Sequence, residues 1–330
     1  MKNFSKKSIV IIGGGTGTST LLEGLKKFPA DISVIVSSAD DGGSTGKLRK
    51  QLGVFPPGDL RQCLVALSFV DQTLKTLFNF RFSAGELKGH TVGNIIIAGL
   101  EKVTGNINNA IDVSSKMLNV RGEVLPVTIK PTTLTAILKN GKQLVGEHNI
   151  DVPQKRVPIQ SIRLSPNGPV NPKVLTALKS ADAIVLGPGD LYTSVLPSLL
   201  VKGVKESIDK SSAKKILVVN IMTQLGQTDK FKPADFVKAV NYYLGKKKLD
   251  AVLVNNKKPG AAALVAYKKQ GAGLIAPEAK GLSAAEVIKA DLLNNNLHKK
   301  TKGDVLHRSL LRHDSDKLAK LIWELIQYEI

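Results

Sequence analysis

A continuous apolar, β-branched run, Ser8-Ile9-Val10-Ile11-Ile12, stops on Gly13-Gly14-Gly15-Thr16-Gly17, and this junction constrains the fold more than any other feature of the chain. A run without polar alternation suits a strand buried on both faces, as in a parallel sheet. Leu21, Leu22, Leu25 and Phe28 then recur at helical spacing, and Ile32 to Val36 returns to strand character. Strand, glycine turn, helix and strand make a βαβ unit. Further buried strands are expected at Ala183 to Leu186, Ile216 to Asn220 and Ala251 to Asn255, each entering a loop of Gly, Pro, Asn or Thr. The expected fold class is α/β, a Rossmann-like doubly wound, mostly parallel sheet whose post-strand loops gather along one ligand-binding edge.

Between the two halves the pattern changes. Leu125-Pro126-Val127-Thr128-Ile129 and Leu134 to Leu138 lead into Asn140-Gly141 and then Gln143-Leu144-Val145. Asn-Gly flanked by such runs is a hairpin signal, so residues 123–165 are expected to form a small β insertion, of no readable function. Residues 257–302 mix Gly, Asn and Lys around an expected helical segment, Ala284 to Leu292, and an amphipathic helix from Ser315 to Tyr328 closes the chain. With 330 residues and 42% hydrophobic content the chain can bury a large core. One domain over 1–330 is expected, with residues 257–330 as a C-terminal helical part completing a cleft.

Composition removes several classes. The net charge of +20 comes from 39 lysines and 8 arginines, the lysines scattered as pairs such as Lys26-Lys27 and Lys214-Lys215. Arginine suits forked phosphate and base contacts, whereas dispersed lysine marks a solvated face, so nucleic acid is not the expected partner. The apolar run after Lys7 is too short for a secretory signal, and nowhere do about 18 uncharged apolar residues run together, so no membrane span and a cytoplasmic location are expected. Cys63, the single cysteine, shares a helical face with Leu60, Leu64 and Leu67 and reads as core packing. The five histidines lack the spacing of a zinc site.

Four segments can carry chemistry. In Gly13, Gly14, Gly15, Thr16, Gly17 and Thr18, missing side chains let backbone N–H groups approach a phosphate at a helix N-terminus, although a purely structural tight turn uses the same residues. A dinucleotide fingerprint starting at Gly13 or Gly15 requires glycine or alanine where Thr18 or Thr20 stands, so the dehydrogenase form is incomplete. Asp40 and Asp41, at the end of the second strand, are placed to accept bonds from a ribose or to hold a hydrated Mg²⁺, or else to be solvated carboxylates of an Asp-Gly turn. Asp59 in Pro57-Gly58-Asp59 is placed to cap the helix carrying Cys63, and His90 and Asn94 lie at another helix entrance. Gly187, Pro188, Gly189, Asp190, Thr193 and Ser194 repeat the strand, glycine loop, helix logic, and two such loops on one edge favour a cleft. Asn220, Thr223-Gln224 and Asn255-Asn256 add amides and hydroxyls at the same expected edge.

Taken in order, Gly13-Gly14-Gly15-Thr16-Gly17, Asp40-Asp41-Gly42-Gly43-Ser44-Thr45-Gly46, Pro57-Gly58-Asp59-Leu60-Arg61, Gly89-His90-Thr91-Val92-Gly93-Asn94, Gly187 to Ser194 and Arg312-His313-Asp314 resemble the gluconeogenesis factor proteins of the YvcK type. That group is related to 2-phospho-L-lactate transferase, which joins phospholactate from a guanosine diphosphate derivative to a deazaflavin with Mg²⁺. The resemblance implies a nucleotide cleft and a UDP-sugar ligand of the UDP-N-acetylglucosamine type. It also implies a regulatory role in cell-wall synthesis and cell shape on gluconeogenic carbon sources, and no catalytic residues. It further points to Arg312 and Tyr267 as sugar-nucleotide contacts. A Mg²⁺-dependent transferase in which Asp40 and Asp41 hold the metal is the alternative. The transferases usually carry Gly-Pro-Ser-Asn-Pro where this chain has Gly187-Pro188-Gly189-Asp190-Leu191. Ser315 is expected to cap the last helix or to be a phosphorylation site. Oligomeric state stays open, a homo-oligomer included.

Overall fold

A computed structural model describes residues 6–246, 248–278, 286–298 and 309–327. Seven strands form one parallel sheet in the order β10-β9-β8-β7-β1-β2-β3. They are β1 (Lys7–Ile12), β2 (Ala30–Val36), β3 (Glu123–Pro126), β7 (Ala183–Leu186), β8 (Lys214–Val218), β9 (Ala251–Asn255) and β10 (Glu286–Ala290). A second, antiparallel sheet in the order β5-β4-β6 holds β4 (Thr133–Leu138), β5 (Gln143–Val145) and β6 (Ile159–Ser165).

The period-2 alternation of the buried strands divides the core in two. Ile9, Ile11, Val34, Val185, Val218 and Leu253 face one layer of helices. This layer contains α1 (Gly15–Leu25), α3 (Pro57–Leu67), α5 (Val92–Thr104), α6 (Ile107–Met117) and α13 (Ser315–Gln327). Val10, Ile12, Ile35, Ile184, Leu217 and Val252 face the other layer, where α8 (Pro172–Ser180), α10 (Val204–Lys210), α11 (Pro233–Leu244) and the small sheet pack. Helices α2 (Gly43–Leu52), α4 (Gln72–Asn79), α7 (Glu147–Asp151), α9 (Leu196–Leu199) and α12 (Ala261–Lys269), with a π-helical turn at Leu191–Val195, complete the described elements. Both faces of the sheet are therefore covered, as a doubly wound fold requires. Cys63 is fully buried among Leu60, Leu64 and Leu67, as the helical spacing predicts.

Three expectations need correction. The β insertion begins at Thr133 rather than 123, because Glu123–Pro126 is the outer parallel strand beside β2. Val124 enters one core and Leu125 the other, the two-sided burial of a parallel strand. The hairpin itself forms: Gly141 has φ +82° and the Asn140 side chain accepts the Lys142 N–H. Second, the expected helix at Ala284 to Leu292 gives way to β10 over the described residues 286–290, since β9 is buried at all five positions and needs a neighbour on its outer side. Glu286 and Lys289 are its exposed positions, charges suited to an edge strand. Third, Asp314, not Ser315, caps α13, its Oδ1 accepting the N–H groups of Asp316 and Lys317.

Candidate functional site

β1 and β7 are neighbours at the centre of the sheet, and the strand order runs outward from them in opposite directions. Loops leaving the carboxyl ends of two such strands diverge and open a crevice at the switch point. The loops here are Gly13–Gly17 after β1 and Gly187–Asp190 after β7. A bond joins them: the Thr18 hydroxyl donates to the Pro188 carbonyl at 3.0 Å. Thr18 therefore occupies its fingerprint position as a brace between loops, fully buried and off the cavity wall. Gly17 explains the closeness of the second contact, since a Cβ there would lie 2.7 Å from the Pro188 carbonyl oxygen. Gly15 starts α1 with φ +67°, and the first-turn N–H groups of a helix have no intrahelical partner, which makes them donors for an anion.

The resulting cavity has a volume of about 210 Å³. Of the expected residues, Gly14, Gly15, Thr16, Gly17, Asp40, Asn94, Pro188, Gly189, Asp190, Thr193, Ser194, Asn220, Tyr267 and Arg312 line it. Gly13 and Gly187 lie behind the wall, Gly13 donating its N–H to the Ile35 carbonyl. Asn94 is also held from beneath: it accepts from Arg61 Nε at 3.0 Å and donates to Ser44 Oγ at 3.2 Å. His90, bonded through Nδ1 to Ser44 Oγ, belongs to this buried network rather than to the wall. Burial, with Lys47 and Arg81 nearby, pushes its pKa down. Thr223 and Gln224 line the cavity, whereas Asn255 and Asn256 do not. The Asn255 side chain ties its strand end to Lys257 and Leu292.

The two adjacent aspartates separate. Asp40 lines the cavity and accepts the Gly42 N–H, but Asp41 turns to the insertion, accepting the His148 N–H at 2.8 Å. The N-cap position of α3 is Pro56 rather than Asp59, which stands in the helix's first turn. Its carboxylate instead lies against Gly14, where a Cβ would stand 1.9 Å from Oδ2. Asp40 Oδ2 lies near Gly58 at the start of α3, where a Cβ would stand 2.7 Å from it, and both carboxylates line the cavity.

Two acidic residues that sequence reasoning missed come from the insertion. Glu147 and Asp151, at the ends of α7, line the same cavity. Asp151 Oδ1 accepts amides of Gln224 and Gln227. Glu147 is recessed, and desolvation with Asp40, Asp151, Asp59 and Asp41 around it holds its carboxyl well above the usual carboxylate range. No local signal marks Glu147, because only folding of the insertion back over the cleft brings it there. Among the described residues, no group of three or more His, Cys, Asp or Glu is arranged to hold a metal ion. Asp40 and Asp59 do match the one or two carboxylates through which Mg²⁺ binds alongside ligand phosphates.

The far end of the cavity is built by α12 and the segment before α13. Tyr267 is buried, its hydroxyl accepting the Leu311 N–H at 3.1 Å, so it fixes the segment that carries Arg312 and His313 to the wall. Gly24 of α1 sets the same segment from behind: a Cβ there would lie 2.0 Å from the Ser315 carbonyl oxygen. Among the described residues no helix is long and apolar enough to cross a membrane.

Comparison with known proteins agrees with this geometry. Residues 9–293 match the family model described as 2-phospho-L-lactate transferase CofD. The chain belongs to the CofD family. It is 40% identical over 327 residues to the gluconeogenesis factor of Bacillus subtilis (strain 168), covering 98% of this chain and 99% of that one. It is 44% identical over 270 residues to the gluconeogenesis factor of Halalkalibacterium halodurans, covering 81% and 83% respectively. The crystal structure of a UPF0052 family member from Bacillus halodurans superposes with a TM-score of 0.89 at 38% identity, over 98% of this chain and all of that one.

Proposed function

We propose that this chain is a regulatory protein that binds a UDP-sugar of the UDP-N-acetylglucosamine class across the switch-point cleft. Its occupancy would control cell-wall precursor supply and cell shape during growth on gluconeogenic carbon sources, in the cytoplasm. The observation that supports this most is the convergence on one cavity of two braced glycine loops, Arg312 and Tyr267. The loop backbone at the N-terminus of α1 suits a diphosphate, and the planar Arg312 fork suits a second phosphate face. Amide and hydroxyl groups of Asn220, Thr193 and Ser194 suit an uncharged sugar or base. A melting screen across a nucleotide panel tests the reading. Saturation at about 100 times Kd stabilises a protein by about 2.7 kcal/mol, so UDP-N-acetylglucosamine is expected to raise Tm by several degrees and ATP to leave it unchanged.

A second reading, a phospholactate-type transferase, is favoured by the placement of Asp59 beside the phosphate-type turn and of Asp40 on the same cavity wall. Both would hold Mg²⁺, which when bound would neutralise the charge of a nucleotide diphosphate. Turnover with a deazaflavin acceptor, lost in Asp40→Asn, would place the chain in this class.

A further inference from the structure

Among the buried polar atoms of residues on the cavity wall, Thr193 Oγ1 and His313 Nε2 have no hydrogen-bond partner. Thr193 is 4% exposed and His313 6%. Orphaned buried polar atoms cost stability, so a pair on the wall of a ligand-sized cavity points to a ligand that satisfies them.

His313 is the more informative of the two because its bonding fixes its tautomer. The ring hydrogen-bonds the backbone of Val219, just past β8. Nε2 makes no bond, so the contact is donated by Nδ1 to the Val219 carbonyl. Burial pushes the pKa of the ring down to about 4, leaving it neutral at physiological pH with its proton on Nδ1. Nε2 then bears a lone pair and no hydrogen. A phosphate oxygen, which only accepts at neutral pH, gives such an atom nothing, and a cationic partner is not required.

We propose that His313 is a specificity-determining residue of the cleft, its Nε2 accepting a hydrogen bond from an uncharged N–H or O–H donor of the bound ligand. The proposal rests on the nucleotide-sugar reading and deepens it. Three parts of such a ligand carry that donor: the imide N–H of a uracil base, the hydroxyls of the ribose, and the hydroxyls or acetamide N–H of the sugar. Adjacent Arg312 and neutral His313 thus divide the work: the guanidinium meets the charged diphosphate, and the imidazole reads an uncharged edge. Thr193 Oγ1, which both donates and accepts, supplies a second uncharged contact from the helical turn that follows the second glycine loop.

The test uses calorimetry on the full chain with UDP, N3-methyl-UDP and UDP-N-acetylglucosamine. His313→Leu is expected to bind UDP-N-acetylglucosamine about tenfold more weakly, and His313→Gln, which keeps an acceptor, to recover part of that loss. If the base is read, N3-methylation weakens binding to the native chain about tenfold and leaves His313→Leu unaffected. If the sugar is read, His313→Leu loses affinity for UDP-N-acetylglucosamine but not for UDP; if the ribose is read, it loses affinity for both, and N3-methylation leaves native binding unchanged. Should either variant fail to fold, ¹⁵N-histidine spectra of the native chain decide: an unprotonated Nε2 that moves on ligand addition supports the proposal, and a proton on Nε2 in the free protein overturns it. Native binding of all three compounds with unchanged affinities in both variants overturns the proposal alone. No binding to the native chain overturns the nucleotide-sugar reading, and the proposal with it.

Discussion

At Gly17 one added carbon would stand 2.7 Å from the Pro188 carbonyl oxygen, a backbone atom that moves only if the second glycine loop moves. Overpacking of this kind typically costs about 1–3 kcal/mol. Gly17→Ala is therefore expected to lower the urea midpoint and to weaken nucleotide binding, because it separates the two walls of the cleft. Thr18→Val removes the hydroxyl that braces the same loops and strands the Pro188 carbonyl, with an expected loss of about 1 kcal/mol in the same assay. His313 carries a pH signature of its own. Unfolded, the ring takes up its proton near 6.5, and in the native state near 4. Between those values the unfolded chain binds more protons, so native stability is full above pH 6.5 and falls as pH drops towards 4. The contribution is about 3 kcal/mol, and the stability curve of His313→Gln should be flatter than the native one over that window.

Among the elements, α7 links the insertion to the cleft. Asp41 accepts the His148 N–H at its start, and Arg156 donates to the Asn149, Ile150 and Val152 carbonyls at its end. This clamp presents Glu147 to four other carboxylates, which raise its pKa along with burial. A carboxyl whose native pKa is raised costs stability once the pH exceeds its ordinary range. Glu147→Gln is thus expected to raise Tm at pH 7 and to leave it unchanged near pH 4. The same elements show what was legible beforehand. β1, α1, β2, β7 and β9 announce themselves through two-sided burial and helical spacing, and the hairpin through Asn140-Gly141. The segment ending at Leu292 misleads because Ala, Glu, Lys and Leu favour a helix, while the open side of β9 demands a strand. The glycine loops of the site are contiguous and therefore readable. Its acidic wall is assembled by an insertion that folds back, and nothing in the neighbourhood of Glu147 foretells that contact.

For the whole molecule, charge acts at two ranges. A net charge of +20 draws anions towards the protein, yet Asp40, Asp59, Glu147, Asp151 and Asp190 all line the cavity meant for them. Long-range attraction with local repulsion predicts that nucleotide affinity falls with ionic strength and rises with Mg²⁺, which offsets the carboxylates next to a diphosphate. Asp40→Asn should reduce the Mg²⁺ effect, measured as the ratio of Kd values with and without the cation. Calorimetric titration of the native chain and of Arg312→Ala with UDP-N-acetylglucosamine tests the central claim most directly. The expected result is saturable binding at one site per chain, weakened at least about tenfold in the variant, since a charge-assisted bond contributes about 1.5–3 kcal/mol. Absence of any binding heat from the native chain, with or without Mg²⁺, would contradict it.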